Sequence, residues 1–202
     1  MMDQVLAAVV NWLSREGVVA EEDRDLYRYA VYSLLFGLAP FAIVAIWGLI
    51  FDMFAESLLL ILPFMLIRKF SGGYHLKSQS ACVVLSTMLL GGAVGIAKMM
   101  QAATNLSLLT VFVAVSVISI CVFSPIASEG RSLTEKETRV FGTVARIIAL
   151  LFLLGYSILL YFGKNRWAVP TGIGIILPAV LQAPVIVIRL FQRTVSGKNR
   201  SQ

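Results

Sequence analysis

The sequence predicts an all-α fold: a polytopic membrane protein of about six transmembrane helices with an N-terminal interfacial amphipathic helix. Hydrophobic residues make up 58% of the 202-residue chain and charged residues only 14%, a balance typical of integral membrane proteins. Long apolar runs recur along the chain, and basic residues gather in alternate connections between them. No shift of composition marks a second domain, so a single integral membrane domain is expected over 1–202.

The apolar runs define the predicted bundle, which covers 31–188. Residues 31–51 are uninterrupted and meet the requirement of about 20 residues to cross a hydrocarbon core. Residues 53–67 are short for a span, and a re-entrant or interfacial segment is the alternative. Four further runs are expected to cross, the last of them interrupted by glycine and proline: 80–97, 106–123, 147–163 and 167–188.

The distribution of positive charge decides between these readings of 53–67. If all six segments cross and the N-terminus is inside, 14 of the 17 Lys and Arg residues lie in the cytoplasm. If 53–67 does not cross, the best division of the same 17 is 11 against 6. The positive-inside rule therefore favours six crossings, with the N-terminus and the 189–202 tail in the cytoplasm. The net charge of +6 then reflects topology, and such dispersed charges do not predict a nucleic-acid interface.

The segment 1–29 precedes the bundle and carries its own pattern. Hydrophobic residues recur at helical spacing and share one face, whereas polar residues lie mostly elsewhere. This predicts a helix that lies on the inner leaflet of the cell membrane. Packing on a partner helix is an equally open alternative. The residues of the apolar face are Val5, Leu6, Val9, Trp12 and Leu13.

The stretch RKFSGGYHLKSQSAC, residues 68–82, contains the single histidine, His75, and one of two cysteines, Cys82. The predicted topology puts it at the cytoplasmic face, where a disulfide is not expected. On one continuous helix a separation of seven residues is an axial rise of about 10.5 Å, too long for proton transfer. The chain must therefore fold back for the two to meet, and Gly72 and Gly73 supply the backbone freedom.

A helix that starts near Gln79 would put Cys82 in its first turn. The positive end of the helix macrodipole and the basic residues Arg68, Lys69 and Lys77 would then favour the thiolate, which is how a cysteine nucleophile is activated. The alternatives are an inert apolar cysteine, a histidine that anchors at the interface and an ordinary glycine turn. No HExxH motif or Cys/His cluster predicts a metal site, and no cofactor is expected.

These residues resemble the signature of the accessory gene regulator B (AgrB) family, the membrane peptidases of Gram-positive quorum sensing. The resemblance lies in Arg68, the pair Gly72 and Gly73, His75 and Cys82 at this spacing. Chain length, the paired basic residues that end the second segment and the stretch FSPIASEGRSLTEKE after the fourth are also similar.

One departure from the family concerns that second stretch. Many relatives carry an acidic residue soon after the loop proline, whereas here Ile126, Ala127 and Ser128 precede Glu129. No role is therefore assigned to a carboxylate at that place.

The resemblance implies a cysteine endopeptidase that removes the C-terminal tail of a small amphipathic precursor peptide of the AgrD type. Cys82 would be the nucleophile, His75 the general base and then acid, and Arg68, Gly72 and Gly73 supporting residues. The expected intermediate is an acyl-enzyme thioester on Cys82, from which a peptide cysteine or serine closes a thiolactone or lactone. Cyclisation, as opposed to hydrolysis, is an expectation from the family alone.

Two groups of residues suggest where binding partners would contact the protein. The residues Arg131, Lys136 and Arg139 are expected to lie in a basic cytoplasmic loop, which is the predicted site for an acidic precursor tail, although topology alone also explains basic loops. Gly91 and Gly95 form a GxxxG pair that permits close helix approach, either within the bundle or in a homodimer.

Two other classes of function remain open from the residues. A small transporter or permease would use glycine- and proline-broken helices and the acids Asp52 and Glu56. Carboxylates that face solvent are the ordinary explanation for those two. A noncatalytic membrane scaffold would need no special residues at all.

Overall fold

The computed structural model describes residues 2–16, 21–72, 79–126 and 134–198. The described part is helical, without strands, which confirms the all-α prediction. A single isolated bridge joins Gly72 to Ile126 within it. The elements in chain order are α1 (Met2–Arg15), a 3-10 turn (Glu21–Asp23), α2 (Arg24–Ile50), α3 (Phe54–Ser71), α4 (Gln79–Gln101), α5 (Ser107–Phe123), α6 (Glu135–Tyr161) and α7 (Asn165–Lys198).

The helices α2 to α7 correspond one by one to the six predicted apolar segments. Four helices of the described part are long and apolar enough to cross a membrane, so this is a membrane protein. The helix α5 is shorter, at 17 residues, and α3 has charged residues near both ends. Six crossings therefore remain a prediction. The four long segments are Arg24–Ile50, Ala81–Gln101, Glu135–Tyr161 and Asn165–Ile188.

The doubtful segment forms α3, which runs beside α7 over most of its length. Near one end of α3, Glu56 forms an ion pair with Arg166 at the start of α7. At the other end, the Ser71 carbonyl accepts a hydrogen bond from the Gln182 amide of α7 at 3.1 Å. Ser71 follows Glu56 by 15 positions, which is a rise of about 22 Å along a helix. This rise is most of the thickness of the hydrocarbon core of a bilayer, which is about 30 Å.

Close backbone approach explains how α3 fits against α7. A Cβ on Gly174 would lie 2.2 Å from the Leu60 carbonyl oxygen and 2.6 Å from the ring of Pro63. Only a glycine permits this contact, because backbone atoms cannot move aside. The helix α3 is also buried on the same side, since Leu60 is fully inaccessible to solvent.

The GxxxG pair of α4 faces the last turns of α2. A Cβ on Gly91 would lie 2.5 Å from the Trp47 ring, and one on Gly95 would lie 3.5 Å from the Phe51 ring. The two rings stack with centroids 5.8 Å apart. The pair is therefore used for packing within the chain, and a homodimer stays a prediction.

The chain divides into two compact units, Met1–Ile43 and Val44–Gln202. In the first unit, the Arg24 guanidinium donates a hydrogen bond to the Asn11 side chain of α1. In the second unit, α3, α5, α6 and α7 pack together, with Val113 and Ala149 among the fully buried residues. The prediction of a helical N-terminal segment is confirmed, and its position on the inner leaflet remains a prediction.

The helix α6 begins earlier than its apolar run, which the sequence placed at 147–163. It starts at Glu135, with Thr134 as its N-cap. The Thr134 hydroxyl accepts from the Glu137 amide at 3.3 Å, and the Glu137 carboxylate accepts from the Thr134 amide at 2.9 Å. This capping box starts a helix in a charged stretch. The expectation that Lys136 and Arg139 lie in a loop was therefore wrong.

Candidate active site

Cys82 lies in the first turn of α4. The helix begins at Gln79, as predicted, and Cys82 is its fourth residue and partly buried. The first four amides of a helix lack partners within it, and the macrodipole is positive at that end. Both features favour negative charge near the sulfur. Of the other predicted site residues, Gly73, His75 and Arg131 lie outside the described residues.

Arg68 lies beyond the apolar part of α3, in the last turn of that helix. Burial lowers the pKa of its guanidinium, and the Coulombic interaction with Cys82 raises it. The two predicted residues are thus close enough to interact electrostatically. The guanidinium also lies over the Phe64 ring, 5.8 Å from its centroid, which fixes the side chain at the end of α3.

The α3 helix ends in a turn that requires glycine. The Gly72 amide donates to the Arg68 carbonyl at 3.1 Å, and Gly72 has φ +71°. A Cβ there would lie 2.1 Å from the Ile126 carbonyl oxygen. The prediction that Gly72 supplies backbone freedom for a turn is therefore confirmed, because the observed conformation requires a glycine. In the sequence, this turn comes directly before Gly73 and the histidine-bearing stretch.

The end of α5 meets the same turn. The Ile126 amide donates to the Ser71 carbonyl at 2.9 Å. Gly142 of α6 allows Pro125 to approach, since a Cβ on it would lie 3.1 Å from the proline Cδ. The Arg146 guanidinium donates to the Cys121 carbonyl at 2.9 Å, which holds α6 to the end of α5. The ends of α3 and α5 thus meet at Ser71, and α6 packs against the end of α5.

The first turns of α6 bring basic side chains near this end of the bundle. Lys136 and Arg139 are both exposed. The rings of Phe70 and Phe141 meet edge to face with centroids 6.1 Å apart, so the end of α3 contacts the first part of α6. The exposed charges are available to an anionic partner.

Gln182 is a residue of this region that the sequence analysis missed. Its side chain is fully buried, and its amide donates to the Ser71 carbonyl and to the Ser124 hydroxyl, each at 3.1 Å. The sequence did contain a sign of its role: Gln182 lies within the apolar run 167–188, and a polar side chain inside a membrane helix needs a partner.

The acids that motivated a permease lie at the opposite end of α3. Asp52 is exposed in the turn before α3, as expected for a solvent-facing carboxylate. Glu56 is only 2% exposed, so the expectation that it faces solvent was wrong. Its carboxylate accepts a hydrogen bond from the Arg166 guanidinium, which supplies the compensating charge. A paired carboxylate of this kind is explained by packing α3 against α7.

The family model described as "Accessory gene regulator B" matches residues 7–186. The chain belongs to the AgrB family. The match covers α3, α4 and the whole predicted signature, so the resemblance drawn from the sequence is confirmed.

Two curated relatives are similar over most of their lengths. "Putative AgrB-like protein 2" of Clostridium perfringens (strain 13 / Type A) is 25% identical over 175 residues, which cover 82% of this chain and 81% of that protein. "Putative AgrB-like protein" of Clostridium perfringens (strain SM101 / Type A) is 23% identical over 171 residues, covering 80% and 79%. No solved structure matches this chain at a significant level. Membership in the AgrB family associates the chain with accessory gene regulator processing at the membrane and with an AgrD-like precursor.

Proposed function

We propose that this AgrB-family protein is a membrane-embedded cysteine endopeptidase that removes the C-terminal tail of an AgrD-like precursor and supports cyclisation of the product in quorum sensing. Cys82 is the nucleophile and His75 the general base and acid. The observation that carries the proposal is the location of Cys82 in the first turn of α4.

The first half of the reaction is acyl transfer to sulfur. The Cys82 thiolate attacks the scissile carbonyl carbon, and its thiol proton is held by His75. Backbone amides at the start of α4 can donate to the tetrahedral oxyanion. The carbon–nitrogen bond then breaks, His75 returns the proton to the leaving amine, and the tail departs. The peptide remains as a thioester on Cys82.

The second half releases the peptide as a ring. A cysteine thiol or serine hydroxyl of the peptide attacks the thioester carbonyl while His75 removes its proton. The bond to Cys82 breaks, and the sulfur leaves as a thiolate that can begin another cycle. The product is a thiolactone or a lactone according to the attacking residue.

Substrate binding draws on two other surfaces. The exposed cations Lys136 and Arg139 on α6 suit an acidic tail, because such charges attract an anionic peptide over several ångströms. The amphipathic helix α1 suits an amphipathic leader, through burial of apolar surface. Arg131 is proposed as a third cation on sequence grounds.

The test is processing of the precursor encoded by the adjacent small open reading frame. The two proteins are co-expressed, and mass spectrometry measures the truncated peptide. Cys82→Ser, Cys82→Ala and His75→Ala are expected to abolish truncation. Cys121→Ser is the matched control, since Cys121 is the other partly buried cysteine, and near-normal processing is expected from it.

Two outcomes would overturn parts of this proposal. Unchanged truncation by Cys82→Ala would reject the nucleophile and the mechanism with it. Charge reversal at Lys136 and Arg139 is expected to raise the KM for an acidic tail with little change in kcat. An unchanged KM would reject the tail-binding role while leaving the chemistry intact.

A further inference from the structure

The Gln182 side chain, near the middle of α7, forms hydrogen bonds to the end of α3 and to the end of α5. It is fully inaccessible to solvent. Its Nε2 donates one hydrogen bond to the Ser71 carbonyl and another to the Ser124 hydroxyl, both at 3.1 Å. Ser71 is the last residue of α3, and Ser124 is the first residue after α5.

Packing alone does not explain an amide at this place. The Gln182 Oε1 atom is buried and has no hydrogen-bond partner in the described part of the chain. Leaving such an acceptor without a partner costs about 1–3 kcal/mol. A methionine would fill nearly the same volume without that cost. The two donated bonds are therefore the property that distinguishes glutamine from an apolar residue here.

One of the two bonds from Gln182 ends on a carbonyl that also accepts a backbone hydrogen bond. The Ser71 oxygen accepts from the Gln182 amide at 3.1 Å and from the Ile126 amide at 2.9 Å. The next residue, Gly72, forms the bridge to Ile126. The side chain of Gln182 thus fixes the exit of α3 against the exit of α5, using α7 as a rigid support.

We propose that Gln182 is a positioning residue for precursor processing, which it serves by holding the Ser71–Gly72 turn in register with Ser124 and Ile126. The inference rests on the proposed function. The Gly72 amide of this turn donates to the Arg68 carbonyl at 3.1 Å, so an error in the place of the turn is passed to Arg68, whose charge interacts with Cys82. Misplacement of a catalytic group by about 1 Å can cost about 10²-fold in rate.

The experiment compares two single variants of the full-length protein in detergent or vesicles. Gln182→Met removes both donated bonds and keeps the volume. Thr171→Val is the matched control on the same helix: Thr171 is buried, and within the described residues its hydroxyl donates to the Trp167 carbonyl of α7. Initial rates of precursor truncation give kcat and KM, and hydrogen–deuterium exchange reports on the fragment that includes Ile126.

A positioning role predicts a specific combination of results. Gln182→Met should lower kcat by about 10-fold or more, keep KM within about 2-fold of the parent, and accelerate exchange at the Ile126 fragment. Thr171→Val should change neither rate nor exchange at that fragment. Equal kcat for the two variants, both folded, would overturn the inference.

A second variant keeps the test decisive if Gln182→Met does not fold. Ser124→Ala removes one of the two acceptors without a change on α7, and a smaller fall in kcat with unchanged KM is expected. Normal kcat in a folded Ser124→Ala would contradict the proposal. Truncation of the precursor by Cys82→Ala would contradict the proposed function. If truncation requires Cys82 but Gln182→Met has the kcat of the parent, only the inference about Gln182 is contradicted.

Discussion

Substitution of Gly72 by alanine tests the turn at the end of α3. With φ +71° and ψ −158°, Gly72 occupies a region that is essentially limited to glycine, and an alanine there costs about 1–3 kcal/mol. Its Cβ would also lie 2.1 Å from the Ile126 carbonyl oxygen. Overpacking of this kind adds about 1–3 kcal/mol. Because the oxygen belongs to the backbone, the turn or the α5–α6 connection must move.

The matched control is Gly92→Ala. Gly92 lies inside α4, is exposed, and has no atom within 4 Å of an added Cβ. Alanine is preferred to glycine in a helix by about 0.5–1 kcal/mol, so this variant should be as stable as the parent or slightly more. Both variants are purified in the same detergent, and thermal unfolding is followed by intrinsic fluorescence.

The two measurements together decide the outcome. We expect Gly72→Ala to unfold at a lower temperature than Gly92→Ala, and to lose truncation of the precursor while still folded. The reasoning would be refuted if Gly72→Ala matched Gly92→Ala in both unfolding temperature and processing rate. A bulkier residue would then be accommodated where the backbone leaves no room.

Three further predictions concern other parts of the molecule. Cys82 should alkylate faster than Cys121 near neutral pH, because only Cys82 lies at a helix start; equal rates by mass spectrometry in detergent would count against activation. Arg166→Gln should lower the unfolding free energy by about 1–2 kcal/mol, because it leaves Glu56 buried without its cation, and Glu56→Gln in the same chain should restore part of the loss. Thr134→Ala should cost about 1 kcal/mol through loss of the α6 cap; an unchanged unfolding curve would exclude a stabilising cap.

Local signals in the sequence were sufficient for the helices and for the position of Cys82. Apolar runs of sufficient length predict helices wherever they occur, and each of the six runs became one. The start of α4 at Gln79 follows the polar stretch before it. The Gly72 conformation was also predictable, because a glycine pair next to a helix end is typical of a turn.

Features that depend on distant residues were not predictable in this way. Glu56 and Arg166 are 110 positions apart, and nothing near either one indicates its partner. The Gln182 bond to Ser71 joins residues 111 positions apart. The start of α6 was missed for a different reason: its charged residues indicated a loop, although Thr134 and Glu137 have the spacing of a capping box.

The most direct test of the account is to trap the peptide on the enzyme. The purified protein is mixed with the precursor, quenched in acid, and analysed by intact-mass and fragment mass spectrometry. A catalytic Cys82 predicts an adduct equal to the precursor without its tail, attached at Cys82, removed by hydroxylamine and absent from Cys82→Ala. Release of the tail without any adduct on Cys82, or an equal rate of release by Cys82→Ala, would contradict it.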